Sequence, residues 1–193
     1  SILGIDIPDD LSSLKAIMLE QASQLRDALA KRPIKDFENW PECKDRSHHL
    51  TNYVLVNFGL AGFLMQRIEF ASVCIQASLI SATLHGRTDA TLVTLTTYGM
   101  LLALRDEYGA AYEAGEKAKQ WLESNPNCRD SASAWNGIGV SLAHLKGHVT
   151  ESYYAYERGF EAGIETGELA RAGVCLSAKS TIKAVAGFPI EEL

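Results

Sequence analysis

Residues 91–123, TLVTLTTYGMLLALRDEYGAAYEAGEKAKQWLE, decide the fold. Their apolar residues recur at helical spacing on both sides of Arg105-Asp106-Glu107-Tyr108-Gly109, which predicts two amphipathic helices folded back on each other. Tyr98-Gly99, then Leu102, Tyr108 and Ala111, have the spacing of a helical hairpin. The same frame returns forty residues away in both directions, at Phe58-Gly59 and at Ile138-Gly139. Further columns keep step: Leu55, Leu95, Trp135 and Cys175, and then Gly62, Leu102, Leu142 and Ile182. The breaks at Gly86, Pro126 and Thr166 share the period. A glycine inside a helix costs about 1 kcal/mol relative to alanine. It is tolerated where a second helix must come close enough to touch the backbone, and that is the role expected of Gly59, Gly99 and Gly139. An ordinary antiparallel bundle is the alternative reading of such amphipathic helices.

Composition sets the limits. The 193 residues are 47% apolar, enough for one sizeable core or for several stacked hairpins. A formal charge of -6, a pI near 5.4 and the lack of basic clusters argue against a nucleic-acid groove, which needs Lys and Arg to neutralise phosphates. Cys43, Cys74, Cys128 and Cys175 are irregularly spaced, as expected of reduced thiols rather than of a disulfide framework or a metal site. The sequence reading expects no membrane span and no signal peptide, and therefore a cytoplasmic location. The start at Ser1 without Met and the stop after FPIEEL suggest a segment excised from a longer protein.

In chain order, residues 1–8 read as extended, with Asp9, Asp10 or Ser12 capping a helix that carries Leu11, Leu14, Met18, Leu25 and Leu29 and ends at Pro33. Phe37 and Trp40 lie in a punctuated linker expected to pack on the end of the following helices. Residues 1–45 are thus an N-terminal capping helix and linker, and residues 46–193 are three hairpins plus a further first helix, all in a single folded domain. Asp45 or Ser47, Asp89, and Asp130 or Ser131 are the expected caps of the three hairpins. The last helix is expected over residues 168–185, before Gly187 and Pro189.

The hairpin spacing resembles the tetratricopeptide repeat, with a period of forty rather than the usual thirty-four. The resemblance implies an all-α fold: a right-handed α-solenoid of antiparallel helical hairpins. The opening LGIDIPDD, the linker KRPIKDFENWP, the hairpin YGMLLALRDEYGAAYEAGEKA, the segment YERGFEAGIETGELARAG and the closing GFPIEEL are similar to a particular helical region. It is the one that follows the ATPase module in large signalling kinases, which join a serine/threonine-kinase-like domain, an AAA/NACHT-like ATPase, a GAF domain and a histidine kinase. None of those proteins' ATP-binding or phosphoacceptor motifs falls in this stretch. The resemblance implies a regulatory context and no active site.

Candidate chemistry is sparse. No Gly-Lys-Ser/Thr loop follows a strand, so phosphate binding of the P-loop kind has no basis. His144, His148 and Glu151 have the spacing of a metal-binding face, but Gly147 falls between them at an expected turn, and a metal needs three or four converging ligands. Cys43 with His48 and His49 is an incidental linker cluster by the same reasoning. Glu113, Glu116, Glu157, Glu161 and Glu165 read as a solvated outer face. The reading therefore expects no catalytic residues, no cofactor and no metal.

In a tetratricopeptide-like stack the concave surface comes mainly from first helices. By that analogy it would contain Tyr53, Val56, Asn57, Leu60 and Phe63, then Val93, Thr96, Thr97 and Met100, then Ser133, Asn136, Val140 and His144. Asn57 and Asn136 are the amides available to grip a partner's backbone. The competing reading makes these positions core between helix layers. The expected function is a non-catalytic scaffold or relay for protein–protein or interdomain contact in a signalling ATPase/histidine kinase. The alternative is a regulatory domain sensing a small molecule near Tyr53, Tyr98, Trp135 and Asn136.

Overall fold

A computed structural model describes residues 7–8, 10–126, 128–143 and 145–187. Readings that fall on residues 1–6, Asp9, His144 and Pro189 lie outside them. Among the described residues the chain is all helical, without a strand, and it divides into two compact units, Ser1–Tyr98 and Gly99–Leu193.

In the first unit α1 spans Leu11–Lys31 and starts where Asp10 accepts hydrogen bonds from the Ser13 amide (2.8 Å) and the Ser12 hydroxyl (2.7 Å). These bonds, the amide's first, hold the Asp10 carboxyl down to about 2. Pro33 follows the last turn, as its missing N–H and fixed φ require. A 3₁₀ segment, Ile34–Asn39, then buries Phe37 edge-to-face on Trp40, with ring centroids 5.3 Å apart. α2, Arg46–Leu64, is capped by the Asp45 carboxylate on the Ser47 amide, and α3 spans Ile68–His85.

Helices α2 and α3 are antiparallel, and glycine sets their separation. A Cβ on Gly59 would lie 2.7 Å from Ile75 Cδ1, and one on Gly62 would lie 3.1 Å from the Ala71 amide nitrogen. The opposite side of α3 takes α1, running in the same direction: Lys15 reaches Glu69 near one end and the Arg32 guanidinium donates to the Thr83 carbonyl near the other. From Ala71 to Thr83 no residue of α3 is exposed, and a helical stretch without a solvent face is apolar on every side, while Leu84 at its end is 66% exposed. That explains a difference from the sequence reading, which expects no stretch apolar enough for a membrane. By length and composition alone, the eighteen residues of α3 pass, with a mean hydropathy of 1.3.

The linker is fastened at its far end. Arg87 donates its amide to the Pro41 carbonyl (2.8 Å) and its Nε to the Trp40 carbonyl (2.9 Å), while the Cys43 amide donates to the Arg87 carbonyl (2.8 Å). Gly86, at φ +105°, lies so close that a Cβ would be 2.7 Å from the Pro41 carbonyl oxygen. Only glycine suits both the angle and the space. α4 follows over Ala90–Ala103, and the Ser78 and Thr94 hydroxyls meet at 2.8 Å to tie its first half to α3.

In the second unit the last turn of α4 leads to α5, Tyr108–Ser124. The turn reproduces the one between α2 and α3. At Gln66 (φ 57°) and Asp106 (φ 63°), forty residues apart, the chain enters the left-handed region. In each case that residue's amide donates three residues back and the next amide five residues back: Gln66 to Phe63 and Arg67 to Gly62, then Asp106 to Ala103 and Glu107 to Leu102. This is the Schellman closure, which satisfies two carbonyls at a helix end.

α6, Ser131–Gly137, passes into a π-helical turn, Ile138–Leu142, closed by the Ala143 amide on the Ile138 carbonyl (2.9 Å). α7 spans Thr150–Thr166 and α8 Leu169–Val185. The α6 start differs from expectation. Asp130 occupies the cap position at φ 61° without a capping bond from its side chain, and the acceptor comes from Glu168 instead. Its carboxylate takes the Ala132 amide (3.0 Å), the Ser133 amide (3.3 Å) and the Ser133 hydroxyl (3.0 Å). Close approach again joins antiparallel helices: Cβ atoms on Gly139, Gly159 and Gly163 would lie within 3 Å of Tyr156, Cys175 Sγ and Ala172 Cβ respectively. Leu142, 2% exposed, fills the hollow left by Gly99 and Gly115, whose Cβ positions are 3.0 and 2.9 Å from it.

Two stability tests follow from these contacts. Leu142→Ala should cost about 3–5 kcal/mol in urea unfolding, because the hollow between two glycines cannot collapse onto the smaller side chain. Glu168→Ala should cost about 1–2 kcal/mol, the range for losing a helix N-cap acceptor, with Glu168→Gln losing less because it keeps one acceptor oxygen.

Candidate functional site

A concavity of the second unit runs along α5 and α7. α5 contributes Tyr112, Glu116, Lys119 and Glu123, at i, i+4, i+7 and i+11, one stripe of a helix. α7 contributes Glu151, Tyr154 and Arg158 from a stripe of its own, and Trp135 of α6 and Ile138 of the π-helical turn also line the space. The cavity holds about 550 Å³. A second cavity of about 540 Å³ shares Glu123, Trp135 and Arg158 with it and extends to Glu161 and Glu165. The two form one groove whose walls, α5 and α7, point the same way.

The electrostatics alternate along the walls. Lys146 Nζ lies 4.3 Å from the centroid of the Tyr112 ring, a cation–π contact. The Tyr112 hydroxyl is raised above its ordinary value by burial and by the Glu116 and Glu151 carboxylates. Arg158 pairs with Glu161 at 3.3 Å. Behind the groove, Lys179 of α8 donates to Glu157 at 2.9 Å, and this bond holds the Glu157 carboxyl below its ordinary value.

The residues expected on the concave surface fare unevenly. In the first unit Tyr53 and Asn57 are exposed and Leu60 half-buried. Asn57 donates its amide to the Tyr53 carbonyl (2.8 Å), so part of its capacity is spent on its own helix. Val56, Val93, Thr96 and Thr97 are buried, as the core reading of these positions requires, and they line no exposed surface. Thr97 bonds back to the Val93 carbonyl at 2.6 Å. In the second unit Met100 and Asn136 are half-buried and Val140 is exposed. Glu161 and Glu165, exposed as the sequence reading expects, and the half-buried Glu116 flank the groove.

The other clusters resolve into local structure. The His148 ring accepts from the Thr150 amide (3.4 Å) at the start of α7, with the Thr150 hydroxyl at 3.2 Å from the same nitrogen. His49 Nε2 is 2.8 Å from the Cys43 carbonyl, and His48 stacks on His85 with centroids 3.6 Å apart. Among the described residues no group of three or more His, Cys, Asp or Glu side chains is placed to hold a metal. None of the four cysteines forms a disulfide. Burial raises Cys74 to about 12 and Cys175 to about 11, leaving both protonated at neutral pH.

The fold and groove thus define an all-helical protein with a recognition-sized concavity between parallel helices. Compared with family models, with curated proteins and with solved structures, the chain matches none.

The thiol environments give a direct check. At pH 8 an aromatic disulfide reagent should titrate Cys128, the half-buried thiol, on the folded protein, with Cys43, Cys74 and Cys175 reacting only as it unfolds. Prompt release of all four equivalents would contradict the packing of α3 and α8.

Proposed function

We propose that the chain is a right-handed α-solenoid of tetratricopeptide-like hairpins with a forty-residue period. In this reading it serves as a non-catalytic scaffold or relay, joining protein partners or neighbouring domains of a signalling kinase. The solenoid reading is supported by the paired Schellman turns at Gln66 and Asp106 and by the close approaches at Gly59, Gly99 and Gly139. Two columns in the same frame are buried throughout: Asn52, Leu92, Ala132 and Ala172, then Leu55, Leu95, Trp135 and Cys175. The kinase context rests on the similarity of the sequence words.

The observation that carries the interaction role is the lining of the α5–α7 groove. Tyr112, Trp135, Tyr154 and Arg158 are the residue types that dominate binding energy at protein interfaces. Tyr154 remains 58% exposed at the mouth, a large aromatic side chain in water. The small-molecule reading, centred on Tyr53, Tyr98, Trp135 and Asn136, meets this groove at Trp135, and the groove's volume falls within the range of ligand pockets.

A photo-cross-linking amino acid at Tyr154, compared with one at the still more exposed Leu19 of α1, tests the interaction role. The Tyr154 probe should join one defined partner or domain and the Leu19 probe should not. Indistinguishable products from the two positions would defeat the proposal.

A further inference from the structure

We infer that the α5–α7 groove receives an amphipathic helical segment of a protein partner that presents Lys or Arg toward the groove's rims. This inference rests on the interaction reading above and specifies the partner's chemistry. Length comes first. From Tyr112 to Glu123 the α5 wall covers eleven helical steps, about 17 Å, and α7 matches it from Glu151. Three turns of a partner helix fill that length. Two parallel helical walls form the cradle of the helix-in-groove mode, in which apolar residues at i, i+3, i+4 and i+7 seat on the floor. Here the floor is Trp135 and Ile138, continued by Leu122 and Ala162, which are 6, 4, 1 and 7% exposed, so the apolar surface in reach is chiefly the exposed Tyr154 ring above them.

Charge then selects the partner. Five carboxylates line the two cavities against three cations, Lys119, Lys146 and Arg158. Two of those cations are already engaged, Arg158 by Glu161 and Lys146 by the Tyr112 ring. The field at the rims is therefore negative, most of all at the α5 and α7 C-terminal ends. There Glu123, Glu161 and Glu165 stand beside the exposed Pro126, over the buried Leu122 and Ala162. A Lys or Arg side chain suits such a place, since its methylene stem covers apolar surface while its head meets carboxylates. Acidic segments would meet like charge.

The test uses the full chain and three fluorescent peptides of about 15 residues, each long enough for the three turns. One carries Leu on a helical stripe with Lys flanking it, one replaces each Lys by Glu, and one keeps Lys but replaces each Leu by Ser. Anisotropy gives affinity, and hydrogen exchange of the chain locates binding. The Leu/Lys peptide should bind at least tenfold more tightly than either other peptide and should protect α5 and α7. The exposed double variant Glu123→Lys/Glu165→Lys should lower that affinity at least tenfold while leaving thermal unfolding unchanged. Equal binding of the Lys and Ser peptides, or displacement by spermine alone, would mean diffuse charge attraction and overturn the inference. Preference for the Glu peptide with groove protection would overturn it too, yet leave the interaction role standing. Absence of groove protection with all three peptides refutes the inference, and the Tyr154 cross-link then decides separately whether the interaction role survives.

Discussion

Everything in this chain depends on helix backbones coming into near contact, and glycine is what permits it. At Gly59, Gly62, Gly139, Gly159 and Gly163 the space a Cβ would occupy is already taken by atoms of the neighbouring helix. Each such glycine lowers intrinsic helix stability by about 1 kcal/mol, so the helices gain their stability from packing. The reward is area. Closely spaced backbones let Ala71, Ala111, Ala114 and Ala132 become fully buried, although none has a side chain large enough to reach across an ordinary interhelical gap. Leu142 is the converse solution, a large side chain in a hollow that two glycines leave open.

Helix ends follow a second economy. Two of the hairpin turns close through left-handed residues that are not glycine, Gln66 and Asp106, although a Cβ in that conformation costs roughly 1–2 kcal/mol. At Asp106 the side chain offsets some of this by accepting from the Tyr108 hydroxyl (2.6 Å). The start of α6 is served across space by Glu168, which also accepts from the Thr166 hydroxyl and so joins the end of α7 to the same carboxylate. Local signals thus end the helices, while one long-range carboxylate begins α6.

Much of the fold was legible in the sequence because its signals are local and periodic. Caps such as Asp45, breakers such as Pro33 and the glycine frame sit within a few residues of the features they cause, and the helix limits fall close to those expected. What escaped is what depends on neighbours distant in sequence. Glu168 capping α6 and Arg87 fastening the linker join residues more than thirty positions apart. The π-helical turn at Ile138–Leu142 has no distinctive residue to announce it. The candidate site was legible only in part. The spacing of Tyr112, Glu116, Lys119 and Glu123 marks one face of α5, but that face reads as solvated until α7 and Trp135 are seen to wall it. Conversely, Val93 and Thr97 look like surface by analogy and are buried in fact.

The fastening of the linker to Arg87 has a mechanical consequence. Between Cys43 and Arg87 the chain makes a closed excursion, out along α2 and back along α3, whose two ends are joined by three hydrogen bonds at the base. Tension applied between α1 and α4 passes from Pro41–Cys43 straight to Arg87 through those bonds, which bear it together. The hairpin shares the load, because α3 is held to α1 through Lys15–Glu69 and Arg32–Thr83 and to α4 through Ser78–Thr94, so it opens only when these contacts and the fastening give way together. Release would then free the length of two helices at once, so the first unit answers a rising load with a threshold rather than with gradual stretch.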